Sequence, residues 1–293
     1  MNFASNRNRA MNSRLIGSLP QIVRRAILAF GARRVNLWDC ATRGITMIAV
    51  FARAFVLATL FIAPRATADT LPLPAGLTDL RSPKGEAFLL EAHSLEAYFP
   101  ISVAFETQKN PAYCGVASMV MVLNAIHAPA PKSPEYQPFD VFTQDNVLDE
   151  RSDAILPRDV LARQGMTLDQ VGQILSLYPV AVEVRHAAPG GLDEFRKTAS
   201  EYLASKDHFV VVNYSRKTLG EERGGHISPL AAYDERADRF LVLDVARYKY
   251  PPIWVATSDL FDAMNTVDSV NSDKTRGYVL ISAKSAVGGA PAQ

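Results

Sequence analysis

This sequence lacks an excess of charge of either sign. It has 31 basic and 30 acidic residues among 293, so its formal net charge is +1. Proteins that bind nucleic acid or an anionic membrane surface typically carry a clear basic excess. The composition therefore predicts neither partner. Its apolar residues make up 48% of the chain, which is enough to form one well-sized globular core.

The sequence also lacks a clear transmembrane helix. Its apolar run near the N-terminus, Ala54–Ala63, covers about half of the ~20 residues that span a bilayer. The run follows an arginine-rich region and precedes Ala66-Thr67-Ala68, which is the pattern of a secretory signal cleaved after Ala68. We therefore predict a leader at residues 1–68 and export to the periplasm. An uncleaved leader that anchors the chain in the membrane, and a true start at Met47, stay open as alternatives.

Cysteine is scarce, with two residues in the whole chain. Cys40 lies in the predicted leader, so Cys114 is alone in the exported part and cannot form an internal disulfide. It is a dimer link, a bystander or a working thiol. Four of the five histidines show no zinc-ligand spacing with this cysteine: His93, His127, His186 and His208. We therefore predict no dedicated metal site.

Cys114 occupies a position that can activate a thiol. Pro111 disfavours helix before it, whereas the apolar residues from Val116 onward follow helical spacing. Cys114 is therefore predicted at the first turn of a buried helix, or one residue ahead of it. The free amide groups and the dipole at a helix N-terminus stabilise a thiolate and lower the pKa of the thiol. The alternative is a buried, inert core cysteine.

The chain after the leader divides into a helical front and a strand-rich second half. Helical patterns cover residues 86–92, 116–126, 140–148, 157–164, 168–178, 192–204 and 259–264. Strand patterns cover residues 180–184, 209–214, 227–233, 240–245 and 278–283. Helices that precede strands in this way favour an α+β fold, with a helical front packed on an antiparallel sheet. We predict one domain over residues 69–285 and a disordered tail, rich in glycine and alanine, over 286–293.

Two polar residues in the strand half can complete a site around the thiol. His226 begins a strand after Gly224 and Gly225, which permit close approach of a ligand. Asp244 interrupts an otherwise apolar strand, where it can face His226 and orient its ring. Each residue also has a structural interpretation, as a satisfied core histidine and a turn acid. Together with Cys114 they supply a nucleophile, a base and an orienting carboxylate.

Three longer segments resemble one enzyme family. The segment 108–124 contains Asn-Pro-Ala-Tyr-Cys-Gly-Val-Ala-Ser, 224–234 contains Gly-Gly-His-Ile-Ser-Pro, and 243–255 contains Leu-Asp-Val-Ala-Arg-Tyr-Lys-Tyr-Pro-Pro. From about Tyr98 to Ala283 the chain is similar to phytochelatin synthase of the short bacterial type. This family, the glutathione γ-glutamylcysteinyltransferases, belongs to the papain-like cysteine peptidase clan. The resemblance implies a papain-like fold, with the nucleophile on the helical front and His and Asp on the antiparallel sheet.

The resemblance also implies a reaction. Cys114 would be the nucleophile, His226 the base and Asp244 its orienter, while Gln108 would donate to the oxyanion. The thiolate would cleave the Cys–Gly bond of glutathione and form a γ-glutamylcysteinyl thioester. This acyl group would pass to a second glutathione, which gives a phytochelatin, or to water, which gives γ-glutamylcysteine. The motifs do not separate transfer from hydrolysis.

Substrate contacts follow from the same resemblance. Asn213 and Arg276 match positions that bind the γ-glutamyl group, and Gly225 lies beside the base. The positions expected near the second substrate are Tyr113, Arg247, Lys249, Tyr250 and Asp268. Basic residues suit glutathione, because it carries two carboxylates and a guanidinium can bind one of them through two hydrogen bonds.

The resemblance implies no tightly bound cofactor. Heavy-metal ions (Cd, Zn, Cu) would enter as metal–glutathione complexes, in which the substrate thiolate holds the metal. The cysteine-rich C-terminal domain of plant members is missing from this sequence, so metal-stimulated synthesis is not carried over. A homodimer is left open.

Two other functions remain as alternatives. A general exported papain-like peptidase would cleave peptides that lack a γ-glutamyl group. A non-catalytic thiol- or metal-binding module would release no glycine from glutathione.

Overall fold

The computed structural model describes residues 70–269 and 272–284, all within one compact unit, 68–293. The predictions for the leader at 1–68, including Cys40, Met47 and the cleavage site, lie outside the described residues. The predicted tail at 286–293 also lies outside them. None of the helices in the described part is long and apolar enough to cross a bilayer.

An antiparallel sheet of seven strands forms the centre of the described part. The strands are β1 (Thr78–Asp79), β2 (Val180–His186), β3 (His208–Ser215), β4 (Gly225–Asp234), β5 (Arg239–Val242), β6 (Ile253–Ala256) and β7 (Gly277–Ala283). Their order across the sheet is β1-β6-β5-β4-β3-β7-β2, and every neighbouring pair is antiparallel. β3 and β4 are buried along almost their whole length because helices cover them, which explains their nearly continuous apolar sequence.

Helices pack around this sheet, and six of the eight named below lie between β1 and β2. They are α1 (Pro83–Glu91), α2 (Tyr98–Val103), α3 (Cys114–Ala125), α4 (Glu150–Ile155), α5 (Arg158–Gln164), α6 (Leu168–Leu175), α7 (Leu192–Leu203) and α8 (Thr257–Met264). α6 begins with the expected capping box, in which Thr167 and Gln170 each bond the backbone amide of the other, at 3.1 and 2.9 Å. The predicted α+β class, with a helical front and an antiparallel sheet, is confirmed.

The helix α3 is the core of the helical front. Every residue from Cys114 to Leu123 is buried, so this helix is apolar on all sides and lies inside the molecule. It packs against β4, and Ser118 links the two elements because its hydroxyl lies 2.8 Å from the carbonyl oxygen of Cys114 and 3.2 Å from that of Ile227. This packing brings the first turn of α3 beside the start of β4.

The helix predicted over residues 140–148 does not form, because side-chain amides occupy its backbone groups. Asn124, at the end of α3, bonds both the amide nitrogen and the carbonyl oxygen of Phe142, at 3.0 and 2.9 Å. Asn146 likewise accepts from the backbone of Thr143 and donates to that of Val141. These bonds take up backbone groups that a continuous helix would use. One turn remains, in which the amide of Val147 donates to the carbonyl oxygen of Thr143 at 3.0 Å, within an otherwise irregular segment.

The strand predicted over residues 240–245 is also shorter than expected. β5 ends at Val242, so Asp244 follows the strand rather than lying within it. Its carboxylate accepts a hydrogen bond of 2.8 Å from the backbone amide of Ala246. This local turn removes the segment from the ladder and directs the acid toward β4.

Candidate active site

Cys114 is the first residue of α3, as the sequence predicted, and 7% of its surface is exposed. Burial raises the pKa of its thiol. The hydrogen bond and positive charge of His226, with backbone groups of Ile227 and Gly115, lower that pKa by more. The net result is a thiol whose pKa lies below its ordinary value. A buried thiol that lines a cavity and has this electrostatic environment can act as a nucleophile.

His226 lies on β4 with its ring between a carboxylate and the thiol. Its Nε2 is 2.8 Å from Oδ1 of Asp244 and 2.9 Å from the hydroxyl of Ser228. Since Nε2 is engaged there, Nδ1 is the ring nitrogen left for Cys114. Burial lowers the pKa of His226, but the charge of Asp244 and the hydrogen bonds to Asp244 and Cys114 together outweigh burial, and the pKa lies above its ordinary value. The structure therefore brings the three predicted residues together.

Asp244 is completely buried and accepts several hydrogen bonds. Besides His226 and the amide of Ala246, Nη2 of Arg216 donates to both of its oxygens, at 3.0 and 2.7 Å. Burial raises the pKa of this carboxyl, but His226 and Arg216 outweigh burial and lower it to about 2. The carboxylate is thus held ionised and its orientation is fixed.

Two charged residues behind Asp244, Arg216 and Glu221, were not predicted from the sequence. Arg216 follows directly after β3, and its Nη1 donates to Oε2 of Glu221 at 2.7 Å. Both side chains are almost fully buried. Arg216 is 28 residues from Asp244 along the chain, so no local spacing indicates their contact. The available signal was a charged residue directly after a buried apolar strand, and such a residue is frequently a solvated strand end.

A cavity of about 240 Å³ opens beside the thiol. Its walls include Pro111, Ala112, Cys114, Gln164, Gly165, Met166, Asn213, Gly224, Gly225, His226, Ile227, Asp268 and Arg276. Four of the residues expected to bind substrate are in this set: Asn213, Gly225, Asp268 and Arg276. Asp268, which was expected near a second substrate, lines the same cavity as Cys114, and its expected role stays a prediction.

Charged and polar groups face each other within this cavity. Nη2 of Arg276 lies 3.1 Å from Oδ1 of Asp268, and Nε of Arg276 is buried with no hydrogen-bond partner in the part of the chain that the structure describes. Arg276 crosses above Gly225, where a Cβ atom would come within 3.3 Å of the guanidinium. Asn213 is also buried, and its side-chain amide has no hydrogen bond among the described residues. The cavity therefore offers a cation, an anion and a free amide.

Gln108 and Tyr113 lie next to the helix start but outside the walls of this cavity. Gln108 is buried, and its Nε2 donates to the carbonyl oxygen of Asn110 at 2.8 Å and to the hydroxyl of Tyr248 at 3.1 Å. Tyr113 directly precedes Cys114 and caps α3 through its backbone. The expected roles of both residues stay predictions.

The other three residues expected near a second substrate also lie away from the cavity. The guanidinium of Arg247 stacks over the ring of Phe105 at 4.5 Å. Lys249 forms an ion pair with Glu222. Tyr250 is buried beneath the guanidinium of Arg216, at 5.0 Å. Among the residues that the structure describes, no group of three or more His, Cys, Asp or Glu could hold a metal ion.

Comparisons with known proteins identify the family of this chain. A family model described as phytochelatin synthase matches residues 68–278. The chain is 35% identical to glutathione gamma-glutamylcysteinyltransferase 1 of Lotus japonicus over 215 residues. This aligned region covers 72% of this chain and 41% of that protein. It is 32% identical over 216 residues to glutathione gamma-glutamylcysteinyltransferase 1 of Arabidopsis thaliana, and the aligned region covers 73% of this chain and 43% of the relative. A Schizosaccharomyces pombe relative, glutathione gamma-glutamylcysteinyltransferase, is 28% identical over 194 residues, covering 66% and 45%. The chain thus spans less than half the length of these relatives, and it belongs to the phytochelatin synthase family.

Proposed function

We propose that this chain is a thiol acyltransferase that acts on glutathione, with Cys114 as nucleophile, His226 as base and Asp244 as its orienter. The observation that carries this proposal is the contact of His226 with both Cys114 and Asp244, in which Cys114 and His226 line one small cavity and Asp244 lies buried behind the imidazole. A cysteine at a helix start, with its histidine on the sheet and a third residue to orient the ring, is the arrangement of papain-like enzymes. We therefore propose that the α+β fold is papain-like.

The cavity suits the γ-glutamyl end of glutathione, which carries a carboxylate and an ammonium group on one carbon. The guanidinium of Arg276 would bind the carboxylate and Asp268 the ammonium, because each meets a group of opposite charge. Asn213 would bond the same end through its free amide. The volume of about 240 Å³ is below the ~300 Å³ at which pockets for drug-sized ligands begin. This size favours a short γ-glutamyl unit over an extended peptide.

The proposed reaction begins with addition of the Cys114 thiolate to the carbonyl carbon of the Cys–Gly bond. The backbone amide of Cys114, at the positive end of α3, would stabilise the oxyanion. Gln108 would add a second donor after giving up one of its present hydrogen bonds. His226 would then protonate the glycine nitrogen as the C–N bond breaks, which leaves a γ-glutamylcysteinyl thioester on the sulfur.

The second half of the reaction returns the enzyme to its starting state. The amino group of a second glutathione, or water, would add to the thioester carbonyl and lose a proton to His226, and the thiolate would leave. Arg247, Lys249, Tyr113 and Tyr250 are proposed to lie near that second substrate. Heavy-metal ions would enter as part of the substrate, bound to glutathione thiolates.

Intact-mass spectrometry tests this proposal. The chain with Cys40→Ser, which retains Cys114 as its one cysteine, is mixed briefly with glutathione, and its mass is read before and after treatment with a phosphine reductant. We expect an added γ-glutamylcysteinyl group on Cys114 that hydroxylamine removes, together with released glycine. The Cys114→Ala variant should gain no adduct.

Two outcomes would contradict the assignment. One is an adduct of whole glutathione that the reductant removes, without release of glycine, because that is a mixed disulfide. The other is turnover of peptides without a γ-glutamyl group at rates similar to glutathione, which would indicate a general peptidase. Product analysis with and without cadmium then separates transfer from hydrolysis.

A further inference from the structure

Glu221 is a buried carboxylate that the proposed reaction does not use. Its side chain is completely buried; Oε2 accepts a hydrogen bond from Arg216, whereas Oε1 has no partner among the described residues. Its backbone amide is tied to the carbonyl oxygen of Arg216 at 3.0 Å. Burying a carboxylate costs free energy unless it is paired, and an apolar residue of similar size is often as stable in such a place. Packing alone therefore does not explain why a charged residue occupies this buried position.

Arg216 connects this carboxylate to the candidate active site. One nitrogen of its guanidinium bonds Glu221 at 2.7 Å, and the other bonds both oxygens of Asp244. Asp244 in turn contacts Nε2 of His226 at 2.8 Å. A continuous series of charged contacts thus runs from Glu221 to the imidazole and on to Cys114.

The sum of these charges determines how strongly the imidazole is held protonated. The titratable and charged groups that face His226 are Cys114, Tyr214, Arg216, Glu221 and Asp244. Burial, followed by the charge of Asp244, raises the pKa of Tyr214 well above its ordinary value, so that phenol stays neutral. Without Glu221, the positive charge of Arg216 would largely cancel the effect of the Asp244 charge on the imidazole of His226. The carboxylate of Glu221 offsets the guanidinium and leaves the charge of Asp244 to act on the ring.

We propose that Glu221 is a positioning residue that acts through Arg216 to keep His226 in its imidazolium form beside the thiolate. An imidazolium loses its proton as pH rises, and a nearby negative charge moves that loss to higher pH. Glu221 would therefore extend the pH range of the reactive ion pair toward the alkaline side. Its relevance to catalysis rests on the proposed function, but the charge coupling itself does not require substrate.

NMR titration of labelled histidine tests the coupling directly. The chain has five histidines, and loss of one signal in a His226→Gln variant identifies that of His226. A unit charge roughly 7 Å away, at an effective dielectric of about 20, shifts a titration by on the order of one pH unit. We therefore expect Glu221→Gln to lower the midpoint of His226 by about one unit. Glu221→Asp, which keeps the charge, should restore most of that shift.

A matched control and a paired variant separate charge from structural damage. Glu222→Gln removes the neighbouring exposed carboxylate and should leave the midpoint of His226 unchanged. Replacing Arg216 and Glu221 together by Gln, compared with Arg216→Gln alone, isolates the charge of Glu221, and we expect the paired variant to have the lower midpoint of the two. This paired variant also decides the matter if Glu221→Gln alone does not fold.

Three results would overturn the proposal. They are an unchanged midpoint in a folded Glu221→Gln variant, an equal shift in Glu221→Asp and Glu221→Gln, and a paired variant whose midpoint equals that of Arg216→Gln alone. Failure of the proposed function would be seen separately, because an absent acyl adduct on glutathione leaves this titration unaffected.

Discussion

Replacing Asp244 by Asn tests how the buried carboxylate stabilises the fold. All of its neighbours donate: Oδ1 accepts from His226, Ala246 and Arg216, and Oδ2 accepts from Arg216. An asparagine can keep its oxygen at the Oδ1 position and preserve the bonds from His226 and Ala246. Its NH₂ group must then face the guanidinium at the Oδ2 position, where a donor meets a donor.

The expected loss of stability is about 3 kcal/mol, at the lower end of the ~3–5 kcal/mol seen when one partner of a buried ion pair is removed. The lower end applies because Arg216 retains Glu221 as a partner. The lowering of the pKa of Asp244 from 3.8 to about 2 gives the same order of magnitude, roughly 2 kcal/mol. For a domain of this size, 3 kcal/mol corresponds to a fall in Tm of roughly 6–12 °C.

The pH dependence of this difference has a definite sign. The pKa of Asp244 is lower in the folded than in the unfolded state, so its stabilisation is complete above pH ~4 and is lost as pH falls toward about 2. The gap between wild type and Asp244→Asn should therefore be full at neutral pH and roughly halved near pH 3. Urea unfolding at both pH values measures this gap.

The exposed Asp262 on α8 supplies the control for this comparison. Asp262→Asn should leave the unfolding midpoint unchanged at both pH values. A loss below ~1 kcal/mol for Asp244→Asn at neutral pH would refute the reasoning, since that is the range of exposed ion pairs. A gap that stays constant down to pH 3 would refute it as well.

Three further variants test the cavity, the fold and the base. Gly225→Ala places a Cβ 3.3 Å from the guanidinium of Arg276, so we expect a several-fold higher KM for glutathione with kcat little changed; an unaltered KM would count against the cavity as the binding site. Gly172→Ala places a Cβ 2.2 Å from Cγ2 of Val184. This overpacking should lower the free energy of unfolding in urea by ~1–3 kcal/mol, despite the better helix propensity of alanine. Adding Val184→Ala should restore part of that stability. His226→Ala should abolish the acyl adduct, whereas Asp244→Asn, which keeps the ring acceptor, should only slow its formation; equal rates in both variants would contradict the roles assigned to them.

Local patterns predicted much of the fold because the information lies within a few residues of each element. The proline before Cys114 and the apolar spacing after it predicted the start of α3. The capping box predicted the start of α6 in the same way. The prediction failed at 140–148, where helical spacing was present but the amide of Asn124, distant in sequence, bonded Phe142 instead. No local sequence pattern indicates these competing hydrogen bonds from Asn124.

The candidate site shows the same division. Cys114, His226 and Asp244 were recognisable because nucleophile, base and acid are distinctive residue types at the ends of apolar elements. The ion pair of Asp268 with Arg276, and the end of β5 before Asp244, depended on contacts between separate segments of the chain. Neither follows from spacing, because each is set by a contact between residues on different elements.

The sequence by itself determined the class of the fold, the helix that presents the sulfur and the choice of the three candidate catalytic side chains. These depend on periodicity, on helix-breaking and capping residues and on residue type, all of which act locally. Only the tertiary structure decided which nitrogen of His226 faces Asp244, and that Arg216 and Glu221 lie behind that carboxylate. The physical reason is that charge coupling depends on distance through the folded interior and not on separation along the chain.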